Sequence, residues 1–468
     1  MGFKVNTFAF SSLFIGMLLP GYNMKSLFLI LGAFILIYMN FKVWKYTRKF
    51  PGRNYFLPEW NTFFAYNSFT FHNELFKKWL NFGRDKFIIW IGFERYLTLS
   101  KLRDVKNVFD VTNDAPLMEN YYQMWPWLGG DETVKNNEFS SDALVKALTD
   151  DASIETLTKS DIFIEAIKKQ TELISEQSGG VIDVQPPIRA LTFNVVCGIA
   201  MGFKSESRQH EIFEAAEKLC QMVDQRICSG WKQYKWLSNV LGEESKMLKQ
   251  KSILTEWVKM VLQTKRDNRD QNVSCLLDAL VANRSLTQDE IVSTIVGFIV
   301  LGYDRLASAT CSALLELSKQ VEVQEKIRKE IRNNAIISTN TSQLLETFLM
   351  ETQRLYPSVS VVNKWITVGI PLNGFFIPPN SSVLLYLYGI GHDAQRFSNP
   401  DECDIYRMNL AETYGINRHE FSMPMTVIKV LVGNLLKKYQ LREGKDKVEI
   451  GSGLALRMSG VRISIKSL

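Results

Sequence analysis

Glu351-Thr-Gln-Arg354-Leu-Tyr-Pro357 is the stretch from which the rest of the chain can be read. Glu351 and Arg354 stand three apart on a predicted helix, so their side chains share one face and can pair. Leu345, Phe348, Leu349 and Leu355 recur at helical spacing, and Tyr356 before Pro357 marks the stop. A surface ion pair of this kind is common and contributes little. Here the pair lies on a largely apolar helix that ends sharply. A second arginine segment, Phe397-Ser-Asn-Pro400-Asp-Glu-Cys-Asp-Ile-Tyr-Arg407, follows downstream. A buried network is therefore expected.

A long central helix is equally well signalled. Thr287-Gln-Asp-Glu290 is a capping box, in which the hydroxyl and the carboxylate each satisfy an orphan amide. Ile291 to Ser318 is apolar almost all round, so the helix is buried. It carries Gly297 and the run Leu301-Gly-Tyr-Asp-Arg305-Leu306. A buried Arg305 is costly unless an anion on a facing element pairs with it. Asp304 cannot do so, because adjacent helical residues do not face each other. Gln320–Ile331 is predicted as an exposed helix with charge pairs, Asn373-Gly374 as a hairpin turn and Val383–Tyr388 as a strand. Ile428, Leu431, Val432, Leu435, Leu436 and Tyr439 form one stripe of a last long helix, with Lys429, Lys437 and Lys438 off it.

With 468 residues, 46% of them hydrophobic, the chain can bury a sizeable core. The net charge of +6 is mild and suits an anionic membrane surface or an acidic partner. No basic cluster with interleaved aromatics is present, so a nucleic-acid partner is not expected. The six cysteines (Cys197, Cys220, Cys228, Cys275, Cys311, Cys403) form no C-x-x-C pair, which favours a reducing compartment. The four histidines (His72, His210, His392, His419) are scattered, so no metal site is read and each is taken as an ordinary polar residue.

Two apolar runs, Phe8–Leu19 and Ser26–Phe41, open the chain, and Lys42, Lys45, Arg48 and Lys49 follow directly. Residues 1–50 are read as a membrane anchor with its cationic flank, and 51–468 as one globular domain on the cytosolic side. The cations after the run argue against a cleaved signal peptide. Sequons at Asn272, Asn283, Asn340 and Asn380 fall in the body of the chain.

Together these features resemble the cytochrome P-450 superfamily, and within it the microsomal fatty-acid omega-hydroxylase branch (family four). The chain looks like a degenerate insect-type member that lacks the heme-thiolate loop. Glu351, Arg354 and Arg407 resemble the family's structural triad. Leu301–Leu306 resembles the A/E-G-x-D-T-T signature of the oxygen-activating helix, with Gly302 and Asp304 matching. Leu117–Gly130 with its Pro-Trp-Leu-Gly, Phe193–Gly202, the Gln320–Ile331 helix and the proline hinge Pro51–Pro58 also match. The resemblance implies a mainly α fold with small β-sheets and an N-terminal membrane anchor. It implies heme as cofactor, NADPH-cytochrome P-450 reductase as electron donor, and lipophilic substrates such as fatty acids, hormones, xenobiotics or insecticides. It places the protein in the endoplasmic reticulum membrane, with the main domain facing the cytosol. By the same resemblance Gly302 and Asp304 are catalytic, while Lys364 and Arg305 are the cofactor-binding candidates.

Four departures converge on the heme. Asn137–Lys146 holds neither the Trp nor the Arg of the W-x-x-x-R pair, Arg305 replaces the proton-steering Thr, and Lys364 stands where Arg is usual. Lys keeps the charge but loses the bidentate fork. Met408–Met425, just before the last helix, contains no Cys, and Arg418–Ser422 resembles the segment upstream of the loop, as though a block were deleted after it. The loss matters because thiolate donation favours O–O cleavage. Cys403 lies on the wrong side of the arginine segment, and a His419 ligand would need an orienting partner. Three readings stand: a membrane-bound heme-thiolate monooxygenase, a catalytically inactive P-450-like scaffold that binds a lipid or a protein, and a coding block lost from the gene model. One lost block would not also alter the other three positions, so impaired or absent oxidation is favoured.

Overall fold

A computed structural model describes residues 67–91, 94–111, 180–202, 209–229, 232, 235–268, 275–282, 286–332, 342–372, 374–379, 381–407, 422–453 and 455–468. The apolar runs, the proline hinge, the aromatic loop, Asn137–Lys146, Met408–Phe421 with His419, and the four sequon asparagines lie outside these residues.

Helix α1 (Ser68–Asn81) starts behind Asn67, whose side chain accepts from the Thr70 amide. Strands β1 (Phe87–Ile91) and β2 (Glu94–Leu99) and helix α2 (Leu102–Val111) follow. Strand β3 (Val181–Asp183) leads into α3 (Gln185–Met201), which takes prolines in its first turn, where no amide partner is lost. Gly202 ends α3 at φ 63°, a left-handed conformation that only glycine adopts freely. Next come α4 (Gln209–Cys228), α5 (Glu243–Asn268), α6 (Gln288–Lys319), α7 (Val321–Ile331) and α8 (Gln343–Leu355). The C-terminal part adds β4 (Val361–Ile366), β5 (Ile370–Leu372), β6 (Phe375–Ile377), β7 (Ser381–Tyr386), α9 (Ser422–Lys438), β8 (Tyr439–Glu443), β9 (Glu449–Ser452), β10 (Leu456–Ser459) and β11 (Arg462–Ser467).

The axis of the molecule is α6. Its capping box is closed: Glu290 Oε2 accepts from the Thr287 amide at 2.8 Å, and Thr287 Oγ1 accepts from the Glu290 amide at 3.3 Å. The helix is long and apolar enough to cross a membrane, but 83% of that window is buried within the protein, as for a core helix. Helices α3, α5, α8 and α9 pack around it, and one large core runs from Leu75 and Trp79 through Phe193 and Ile299 to Leu431 and Ile463.

A four-stranded sheet, ordered β1-β2-β7-β4, has β2 and β7 parallel and its other pairs antiparallel. With α2 it encloses a second, smaller core of Ile88, Leu97, Leu99, Val105, Phe109, Val362 and Ile366. A three-stranded sheet joins β3, β11 and β8, while β5-β6 and β9-β10 are hairpins. Gly374 turns between β5 and β6 at φ 73°.

Three expectations change in detail. The strand expected over Val383–Tyr388 stops at Tyr386, and Leu387–Gly391 is helical. Any side chain at Gly391 would collide with the Arg354 carbonyl, 2.0 Å from the Cβ position, so the chain can coil there only with glycine. Lys429 is buried and reaches Glu346 at 3.1 Å, so it belongs inside the helix packing. Helix α7 is half-buried through Val323, Gln324, Ile327 and Ile331. Its Arg328 donates to the Leu436 and Tyr439 carbonyls at 2.9 and 3.1 Å.

Candidate functional site

Glu351, on the last turns of α8, is fully enclosed. Arg354 grips it with a two-bonded fork, Nε to Oε2 and Nη2 to Oε1, both at 2.8 Å. Arg407 Nε reaches Oε1 at 3.0 Å, and the Asp404 amide donates to the same oxygen at 3.1 Å. The rest of each guanidinium is spent on backbone: Arg354 on the Gly391, Pro400 and Glu402 carbonyls, Arg407 on that of Ser398. Phe397 lies under both cations, 4.9 and 5.6 Å from its ring centre. This arrangement bolts the 391–407 segment to α8.

A second charged cluster lies one helix away and was not read from the sequence. Asp304, buried on α6, is held by Arg189 of α3 at 2.7 Å and by Arg457 of β10 at 3.2 Å. Arg189 Nε also reaches Glu217 of α4 at 2.7 Å, and that carboxylate accepts the Tyr303 hydroxyl at 3.1 Å. Arg457 Nε donates to Asp224 of α4 at 2.7 Å. Burial alone would push the Asp304 carboxyl up. Arg457 first and Arg189 second overcome it and hold the group below the usual carboxylate range. Three carboxylates alternating with two guanidiniums thus tie α3, α4, α6 and β10 together. Arg189 had one available signal, a lone cation in an otherwise apolar helix; Arg457, alternating between Leu456 and Met458, had none.

The remaining candidates lie apart from this geometry. Gly302 faces α3, where an added Cβ would come 3.2 Å from Val196 Cγ1. Arg305 is half-buried on α6. Lys364 is buried on β4, with its ammonium 5.4 Å from the Phe109 ring centre in the smaller core.

No described thiol is disposed to be a thiolate. Burial raises Cys197, Cys220 and Cys228 well above the ordinary thiol value, and Cys311 to about 12. Cys403 is also pushed up to about 12, by burial and then by Glu316 and Glu351. Cys275 is raised as well, again by burial first. His72 and His392 are likewise buried.

The family model described as Cytochrome P450 matches residues 51–424. Among curated proteins, "Probable cytochrome P450 4e1" of Drosophila melanogaster is 22% identical over 80% of this chain and 79% of its own. "Cytochrome P450 4e5, mitochondrial" of Drosophila mettleri is 23% identical over 70% of this chain and 69% of its own. Among solved structures, the crystal structure of a cytochrome P450 superposes with a TM-score of 0.66 at 14% identity, covering 85% of this chain and 94% of that one. Family and fold imply heme as the cofactor. The donor set does not fit a thiolate-held heme, since 408–425 contains no Cys and five of the six described thiols are buried in the packing of the protein. Matched over most of its length, the chain belongs to the cytochrome P450 family and, with relatives named in family four, to that branch of it.

Proposed function

We propose that this chain uses the P-450 fold as a closed scaffold that binds a lipid or a protein and does not carry out heme-thiolate oxidation. The observation that supports this reading is Asp304: the acid of the helix that resembles the oxygen-activating one is enclosed by two guanidiniums of its own chain. A buried carboxylate so paired is a structural tie, and the absent Cys removes the other requirement of the chemistry.

The family match favours a second reading. Homologues of family four suggest heme monooxygenase activity. In that reading the substrate is lipophilic, such as a fatty acid, hormone, xenobiotic or insecticide, and NADPH-cytochrome P-450 reductase supplies electrons. Gly302 and Asp304 then belong to the oxygen-activating helix, Lys364 and Arg305 to cofactor binding, and Glu351, Arg354 and Arg407 to the scaffold. Both readings share one placement: residues 1–50 anchor the protein in the endoplasmic reticulum membrane, and residues 51–468 form one domain facing the cytosol.

The two readings separate in the spectrum of the purified protein. The closed scaffold carries substoichiometric heme, and its reduced carbon monoxide complex lacks the long-wavelength Soret band that a thiolate ligand produces. A full thiolate-type band from the unmodified chain would overturn the scaffold reading.

A further inference from the structure

Cys275 differs from Cys220 and Cys228 in what its sulfur touches. Those two thiols donate to backbone carbonyls, of Val300 at 3.6 Å and of Ser452 at 3.2 Å. Cys275 Sγ instead accepts from Lys265 Nζ at 3.0 Å. Asp278 closes the triangle. Its Oδ1 accepts from Lys265 Nζ at 2.6 Å, and its Oδ2 accepts from the Cys275 thiol at 3.0 Å.

Three elements bring these atoms together. Lys265 stands in the last turn of α5, and Cys275 directly precedes the short helix Leu276–Ala282, whose first turn carries Asp278. The third element is α3, which ends beside them at Gly202. A Cβ there would come 3.6 Å from both Cys275 Sγ and Lys265 Nζ, so the glycine keeps a side chain off the two atoms at that point. Cys275 is only 5% exposed, while 27% of the Lys265 side chain meets solvent. The sulfur is thus reached past an amine.

We propose that Cys275 and Lys265 form a site of oxidative cross-linking, at which hydrogen peroxide joins them through one oxygen atom as Nζ–O–Sγ. One peroxide passes an oxygen to the sulfur, giving the sulfenic acid and water. A second passes an oxygen to the amine, giving a hydroxylamine and water. The two hydroxyl groups then condense, so that the N–O–S link forms and a third water leaves. Four electrons leave the pair and reduce the two peroxides. Asp278, bonded to both groups, takes the thiol and ammonium protons as each lone pair is engaged and passes them to water. Holding the groups 3.0 Å apart makes the joining step intramolecular. Burial holds the Cys275 thiol above its ordinary value, so the site reacts slowly and answers to sustained peroxide. None of this draws on the residues of either heme reading.

Peptide mapping of the full-length protein after peroxide treatment tests the proposal. Arg266 and Arg269 lie between the two residues, so trypsin separates them and a cross-link appears as two joined peptides. Tandem mass spectrometry should find that species heavier than the two peptides by one oxygen and lighter by two hydrogens. Dithiothreitol should release both peptides unmodified. Lys265→Arg keeps the cation beside Asp278 but not the primary amine. In it the joined species should be lost, and Cys275 should run on to the sulfinic acid.

Wild-type protein in which Cys275 reaches the sulfinic acid with Lys265 unjoined would overturn the proposal. So would a joined species without the added oxygen, or Cys275 still reduced when Cys403 is oxidised. Should Lys265→Arg fail to fold, the wild-type map and its reversal by dithiothreitol decide alone.

Discussion

Glu351 receives four donors inside a space closed to water: two from Arg354, one from Arg407 and the amide of Asp404. Arg354→Ala leaves this carboxylate buried with half its donors gone and should cost about 3–5 kcal/mol. Thermal melts of heme-free protein measure the loss, and an unchanged melting temperature would reduce the pair to an ordinary surface bridge. This pair was legible because its spacing is local: three residues on one helix face suffice to predict it. The partners of Asp304 were hidden for the opposite reason. Arg189 is 115 residues away along the chain, and no local pattern carries that distance. Lys364 shows a third case. Val362, Lys364 and Ile366 alternate onto one buried face of β4, so period two carries the lysine inward whatever its charge.

α1, the turn after β7 and the β9–β10 hairpin come together around two histidines. The His392 ring stacks on Tyr388 with centres 4.0 Å apart, and His72 meets the same Tyr edge-on at 4.9 Å. Burial lowers His392 to about 4. It also lowers His72 to about 4, with the charge of His392 as the second cause. Both rings are thus neutral in the fold and titrate near their ordinary value of about 6.5 in the unfolded chain. Below pH 6.5 the unfolded state takes up more protons, so stability falls as the pH drops from about 6.5 toward about 4. The melting temperature should decline steadily from pH 6.5 to 5, before most carboxylates titrate, and the double variant His72→Phe, His392→Phe should flatten that slope. An unaltered slope would exclude the pair as its cause. The long helix α6 was readable from its capping box and apolar run, and α8 from its apolar period and the stop before Pro357, because packing and propensity agree there. The five-residue helix at Leu387–Gly391 was not, since the close approach of Gly391 to Arg354 decides it.

The described residues form a large helical core and a smaller core under the four-stranded sheet, and the fold class was legible because motifs along most of the chain pointed to one family. Sheet order was not legible, since it depends on pairings that cross the sequence. The proposed anchor and orientation make a prediction at this scale. In microsomes the protein should resist carbonate extraction, and the sequons at Asn272, Asn283, Asn340 and Asn380 should stay unmodified because the cytosol lacks the transferase. A glycosidase-sensitive mass shift at any of them would reverse the topology. The three-stranded sheet also sets a timetable. β3 pairs with β11, so Ile182 finds its partner Ile463 only after the ribosome has made everything between them. Throughout translation α3 to α8 stand beside a strand with an unclaimed edge, and the earliest-made part of the sheet is the last to be sealed. The edge of β3 therefore stays open from the synthesis of Val181 until β11 has emerged, and a chaperone that shields strand edges has its use in that interval.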